Sequence, residues 1–238
     1  MLKKLYHNIN LIGKIINYNL KIIFANKFLY FLLGAFAFYL LVAIISLLDA
    51  DAYPNEADVY GVLIFPGLLL IFYPCTFGLQ NDMDTRMIEL LFGIPNYRYR
   101  VWMIRLAIIY MTVYIMLFIL CLLSTIVFTP IPVIEMTFQL MFPIFFLGAL
   151  AFLFSTIIGN GNGAAAIMIL IAFIFWISSG ILEENKWNIF LNPFDYSHDI
   201  DHTIWREMIF YNRLYLLVGI LLTILGSLYR LQKREKFI

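Results

Sequence analysis

Apolar residues in this chain fall in long unbroken runs, and the polar positions collect in the gaps between them. Six runs read as membrane-crossing helices: Phe28 to Leu48, Val59 to Leu79, Leu106 to Phe128, Phe138 to Ile158, Ala164 to Leu182 and Leu214 to Leu228. A helix needs about 20 apolar residues to cross the hydrocarbon of a bilayer. The first five satisfy this, and the last and shortest borrows Tyr211 and Tyr229 as interfacial anchors. None of the six contains Asp, Glu, Lys, Arg or His. Pro66 and Pro74 in the second run, and Pro143 in the fourth, predict bent helices, because proline leaves a helix carbonyl without its donor.

Ahead of the first run the period changes. Leu2, Leu5, Ile9, Ile12, Ile16 and Ile23 lie on one helical face, while Lys3, Lys4, Lys14 and Lys21 fall largely off it. An amphipathic helix over residues 1–27 would rest in the lipid interface with its lysines near anionic headgroups. A secretory signal is not expected here, since His7, Asn8, Asn10 and Lys14 interrupt the apolar stretch.

Composition supports lipid as the solvent. The 238 residues are 63% hydrophobic and 13% charged, with a mean hydropathy of +0.89. Soluble domains carry about a quarter charged residues. A net charge of +1 gives no broad attraction to nucleic acid. The placement of charge says more than its sum. Lys3, Lys4, Lys14, Lys21 and Lys27 precede the first run, Arg86, Arg98, Arg100 and Arg105 lie between the second and third, and Arg230, Lys233, Arg234 and Lys236 follow the last. The alternate loops hold only Lys186, Arg206 and Arg213, beside Asp49, Asp51, Glu56, Asp58 and Glu135. By the positive-inside rule both termini are cytoplasmic. The expectation is an all-α integral membrane protein with one membrane domain: an interfacial helix over 1–27, six transmembrane helices over 28–228 and a basic cytoplasmic tail over 229–238. Cys75 and Cys121 sit inside apolar runs without metal-ligand spacing, as small embedded residues do.

Two stretches outside the runs are long enough to carry function. From Gln80 to Arg105, Asp82 and Asp84 are placed to cap a short helix whose apolar face is Met87, Ile88, Leu90 and Leu91, with Gly93 and Pro95 ending it. Pattern alone reads this first as an interfacial loop helix that orients the chain. From Glu183 to Arg213, Trp187, Ile189, Phe190, Leu191, Pro193 and Phe194 are too apolar for a solvated loop and predict re-entrant helices packed on protein. His198, Asp199, Asp201 and His202 form a metal-like cluster there. A third convincing ligand position is missing, and zinc takes at least three protein ligands, so no metal site is expected. The chain has no P-loop, and Gly159-Asn-Gly-Asn-Gly163 follows an apolar run rather than a strand, as a tight turn would. No catalytic or cofactor-binding residues are expected, so the chain does not read as an enzyme.

The order of these elements resembles the permease subunit of a type-2 ABC transporter, over nearly the whole length. Glu89-Leu-Leu-Phe-Gly-Ile-Pro95 is similar to the family's Glu-Leu-Leu-x-x-x-Pro at the cytoplasmic coupling helix, Asn192-Pro-Phe194 to a turn before its outer re-entrant helices, and Leu231-Gln-Lys-Arg-Glu-Lys-Phe237 to its basic tails. The family's Gly-Thr ahead of Glu-Leu-Leu is replaced here by Arg86-Met87. The resemblance implies a pathway subunit in a bacterial inner membrane. It would pair with a second copy or a homologue, and would be driven by a separate ATPase subunit that binds the ATP. Arg86, Glu89, Leu90, Leu91, Pro95 and Arg98 would lie at the ATPase contact, with Asn192, Pro193 and Phe194 in the outer segment. Spans without buried charge suit a hydrophobic, lipid-like or peptide cargo, not an inorganic ion. The alternatives are a non-transporting membrane scaffold, assembly or immunity protein and, third, a membrane enzyme using the His198–His202 region.

Overall fold

A computed structural model describes residues 28–48, 54–87, 98–196 and 200–232. The expected interfacial helix over 1–27, residues 88–97 and the tail from 233 lie outside the described residues. Among the described residues six long helices carry the fold: α1 (Phe28–Leu48), α2 (Glu56–Asp84), α3 (Ile104–Val127), α4 (Val133–Ile158), α5 (Gly161–Ile181) and α6 (His202–Arg230). A π-helical turn, Arg98–Met103, leads into α3. Each of the six is long and apolar enough to cross a membrane, and no strand occurs among the described residues.

The first apolar run and α1 coincide, whereas other helices outrun their apolar windows because capping, not hydropathy, sets their ends. Asn55 starts α2 with a capping box: its side chain accepts from the Asp58 amide, and the Asp58 carboxylate accepts from the Asn55 amide, both at 2.9 Å. At its other end α2 runs through Asp82 to Asp84, so these aspartates belong to its last turn, and the short helix expected beyond them lies mostly outside the described residues. α4 starts at Val133, directly after Pro132, rather than at Phe138. The largest difference is α6. Asp201 accepts from the Thr203 amide at 2.7 Å and starts the helix at His202, so the run expected to be shortest belongs to a helix of 29 residues. The window reading stopped at Arg213 because it counts charge, and a capped helix does not.

Between α4 and α5 the chain makes the expected tight turn. Gly159 takes a left-handed φ of 71°, which only glycine adopts without steric cost. Asn160 then caps α5, accepting from the amides of Asn162 and Gly163 at 2.8 and 3.2 Å.

α2 and α4 form the buried centre. They meet through reciprocal notches: Ile144 of α4 fills the space above Gly67 of α2, and Ile71 of α2 fills the space above Gly148 of α4. A Cβ at Gly148 would stand 2.5 Å from Ile71 Cδ1, so glycine is what permits the approach. α6 joins α4 the same way, with Phe146 over Gly219. α1 buries a narrow stripe of Ala35, Tyr39 and Ala43, one helical turn apart, and Tyr39 accepts the Ser124 hydroxyl of α3 at 3.0 Å. The remaining faces of α1 and α5 are largely exposed, with Leu33, Leu41 and Ile45 on one and Ile169, Phe173 and Trp176 on the other.

Candidate functional site

Because α5 leans on the centre along part of its length only, a groove of about 840 Å³ runs between it and α2. Ile64, Phe65, Leu68 and Phe72 form the α2 wall, Met168, Ile169, Ala172, Phe173 and Trp176 the α5 wall, and Leu147 of α4 also lines it. The polar lining residues are Tyr60, Ser179 and Asn192. Tyr60 lies one turn inside α2, Ser179 in the last turn of α5, and Asn192 in the connection to α6, so all three belong to one end. From Tyr60 to Phe72 the wall rises about 18 Å at 1.5 Å per residue, close to the ~15 Å thickness of one hydrocarbon leaflet. The groove is therefore apolar along its length and polar at one mouth.

Behind that mouth lies Arg213, buried with 6% of its surface exposed. Its Nε donates to Gln139 Oε1 of α4 at 2.8 Å, Nη1 to Asn212 Oδ1 at 2.8 Å, and Nη2 to the Leu191 carbonyl at 3.1 Å and the Tyr60 hydroxyl at 3.4 Å. The guanidinium also stands 5.4 Å from the Phe142 ring centre. Every acceptor is neutral, and among the described residues no carboxylate pairs with this cation.

The connection that supplies Leu191 and Asn192 consists of tight turns. The side chains of Asn185, Asn188 and Asn192 accept from the amides of Trp187, Phe190 and Phe194 at 3.1, 3.0 and 3.1 Å. Asparagine recurring every three or four residues thus bonds its own backbone two positions on, which competes with helix. Turns stand over the described residues 183–196 where re-entrant helices were expected. Asn192 Nδ2 reaches the Ala57 carbonyl of α2 at 2.9 Å, and Asn212 Nδ2 reaches the carbonyls of Lys186 and Asn188 at 2.8 and 2.7 Å. Trp205 Nε1 donates to the Pro193 carbonyl at 3.4 Å. The segment is thereby pinned to α2 and α6. Asp201, exposed at the start of α6, is held below the usual carboxylate range by the hydroxyl and amide of Thr203. His202 stacks on Tyr196 at 4.1 Å, while His198 and Asp199 lie outside the described residues.

At the opposite end Asp82 of α2 forms a buried ion pair with Arg105 of α3, their side chains 3% and 7% exposed. Arg105 also lies 5.0 Å from the Trp102 ring centre. Gln80 Oε1 accepts from the Gly161 amide of α5 at 2.6 Å, and the Ser155 hydroxyl of α4 donates to the Thr76 carbonyl at 2.8 Å. Within two turns, then, the end of α2 is bonded to α3, α4 and α5.

The residues expected at the ATPase contact divide. Arg86 is exposed with a left-handed φ of 56°, at the position where the resembling family carries glycine. Arg98 opens the π-helical turn. Glu89, Leu90, Leu91 and Pro95 lie outside the described residues. Asn192, Pro193 and Phe194 sit together at the polar mouth of the groove: Asn192 bonds α2, the Pro193 carbonyl receives Trp205, and the Phe194 ring lies 5.9 Å from that of Tyr60.

No family model, curated protein or solved structure matches this chain.

Reading by apolar run takes Asp82 for a helix cap and Arg105 and Arg213 for loop charges, because each stands just outside a run. A signal was available. Asp82 and Arg105 lie three residues or fewer beyond two adjacent runs, near enough for both helices to continue through them and meet. Tyr60 and Gln139 carried no such signal, since a single polar residue near the end of an apolar span looks like any interfacial anchor.

Proposed function

We propose that this chain is the membrane-spanning subunit of an ATP-driven exporter of the type-2 ABC class, with the α2–α5 groove as the cargo surface. The observation that carries the reading is that groove: it is apolar, of one-leaflet length, and bounded on one side by the best-packed helix of the bundle and on the other by one of the least packed. Such a wall pair suits a hydrophobic or lipid-like cargo and has no ladder of polar groups for an ion.

In this reading the Asp82 end faces the cytoplasm of a bacterial cell, together with both termini, and the chain works with a second copy or a homologue. A separate ATPase subunit binds ATP and docks beside Arg86, Glu89, Leu90, Leu91, Pro95 and Arg98. The Asp82–Arg105 pair clamps the two stems of the docking loop, and the Gln80–Gly161 bond joins the α2 stem to the start of α5. A push on the loop thus reaches both groove walls at once.

Purification of the tagged protein from its native membrane in mild detergent tests this directly. An ATP-binding subunit recovered at a fixed ratio is the expected result. Recovery of the chain alone, or with a partner lacking a nucleotide fold, overturns the exporter reading and favours a membrane scaffold.

A further inference from the structure

We propose that α5 is a hinged wall: it pivots at its first turns and swings its far half toward α2, so that the groove between them opens and closes. The inference concerns the motion of the wall and holds whatever the groove carries, so it stands apart from the exporter reading. Two observations carry it, one on packing and one on how the two ends of α5 are held.

The buried residues of α5 are Gly161, Ala164 and Met168, all in its first half. Ile171 and Phe175 continue that stripe but are only half-buried, while Ala172, Phe173 and Trp176 line the groove. α1, the other weakly covered helix, buries Ala35, Tyr39 and Ala43. A helix seated about its middle has no long arm, whereas one seated at an end does. Elements with few buried contacts are those that move at low cost. In a bilayer no hydrophobic drive closes the gap, because lipid tails are as apolar as the walls. Packing of Phe173 and Trp176 toward α2 therefore competes directly with filling of the groove, which makes α5 a two-position element.

At the seated end the Gly161 amide donates to Gln80 Oε1 at 2.6 Å, and a Cβ on Gly161 would stand 2.6 Å from both that oxygen and Phe77 Cδ1. α5 is thus pressed onto α2 there with no room to slide. Just ahead stands the left-handed Gly159, where a tilt can be taken up by a backbone change instead of by bending either helix. At the far end the bond from Asn188 Nδ2 to the Ser179 carbonyl is long, 3.5 Å. The turn closed by the Asn185 amide on the Leu182 carbonyl at 3.0 Å joins the arm to the segment pinned on α2 and α6, and so limits the swing. From Ala164 to Ile177 the arm is about 20 Å long, and a gap one carbon layer wide (~4 Å) closes over it with a tilt of about 12°.

The test uses the full chain in nanodiscs, with pairs of nitroxide spin labels read by double electron–electron resonance. Leu122→Cys on α3, which packs on the α2–α4 centre, is the reference. It is paired with Ile177→Cys on the arm or with Ile167→Cys at the seated end, all three positions being exposed. Cys75 and Cys121 are buried, and the unaltered protein serves to check that they take up no label. The Ile177 pair should give two distances about 4 Å apart, and the Ile167 pair a spread of about 1 Å from the same tilt. Ala172→Trp fills the groove from the α5 wall, and Gly61→Leu from the α2 wall, where a Cβ meets nothing within 4 Å. Each should leave only one of the two Ile177 distances, the same one in both. A single Ile177 distance as sharp as that of Ile167, equal motion of both pairs, or two distances that survive either filling would overturn the proposal. No ATPase is present, so failure to recover that partner strikes the exporter reading and leaves this result untouched.

Discussion

Replacing Asp82 with alanine leaves the Arg105 guanidinium buried with no anion beside it. The two side chains are 3% and 7% exposed, so water cannot take over the lost contact without local opening. Breaking a buried pair by removing one partner costs about 3–5 kcal/mol, most of it the penalty of the stranded charge. Trp102, 5.0 Å from the guanidinium, retains about 0.5–2 kcal/mol of cation–π attraction, which places Asp82→Ala near the lower bound, at about 3 kcal/mol. Arg105→Met should cost a similar amount, since it strands the carboxylate. The double variant Asp82→Ala/Arg105→Met removes both charges, so its loss should fall short of the sum of the single losses by a coupling of about 2–4 kcal/mol. The assay is the free energy of unfolding in mixed micelles titrated with SDS, followed by tryptophan fluorescence. Single losses below about 1 kcal/mol that simply add in the double variant would show an exposed pair, and would remove the clamp from the description of α2 and α3.

Gly148→Ala puts a Cβ 2.5 Å from Ile71 Cδ1 and should cost about 1–3 kcal/mol by overpacking. Gly34→Ala meets nothing within 4 Å and should gain up to about 1 kcal/mol of helix propensity; SDS titration of both tests the opposite signs. Arg86→Gly relieves a left-handed φ of 56°, which costs a non-glycine residue about 1 kcal/mol or more, so it should leave stability unchanged or raise it, and a clear loss would contradict that backbone. Asp201 has a lowered carboxyl pKa in the folded chain. Its cap on α6 is therefore strongest above the ordinary aspartate pKa and weakens as pH falls through the folded value. Protection of the Thr203 amide, taken relative to its intrinsic exchange rate at each pH, should fall at acid pH in the native chain and lose that dependence in Asp201→Asn, which caps without titrating.

Much of the helical skeleton is legible from hydropathy, because a bilayer demands long uncharged runs wherever a helix crosses it. Phe28–Leu48 was read to the residue for that reason, and Gly159-Asn-Gly-Asn-Gly163 declared its turn through glycine. What lies at the helix ends was not legible. Asp82, Arg105 and Arg213 look like the limits of spans when counted as charges, yet each sits inside a continuing helix whose neighbours satisfy it. The turns at Asn185, Asn188 and Asn192 were masked by the apolar residues between them, which suggested helices dipping into lipid. The groove was the least visible feature. α2 and α5 are apolar on every side, so no periodicity tells which face of either helix packs and which stays open.

The acceptors around Arg213 also bear on the order in which the protein is built. Tyr60, Gln139, Leu191 and Asn212 all precede it in the chain. α6 carries the lowest mean hydropathy of the six spans, 1.9. By the time this helix leaves the ribosome, α2, α4 and the asparagine turns have already been synthesised and can offer their oxygens to the guanidinium. The helix least able to enter a bilayer alone is thus the one for which the earlier chain has prepared a berth, and its topology depends on theirs.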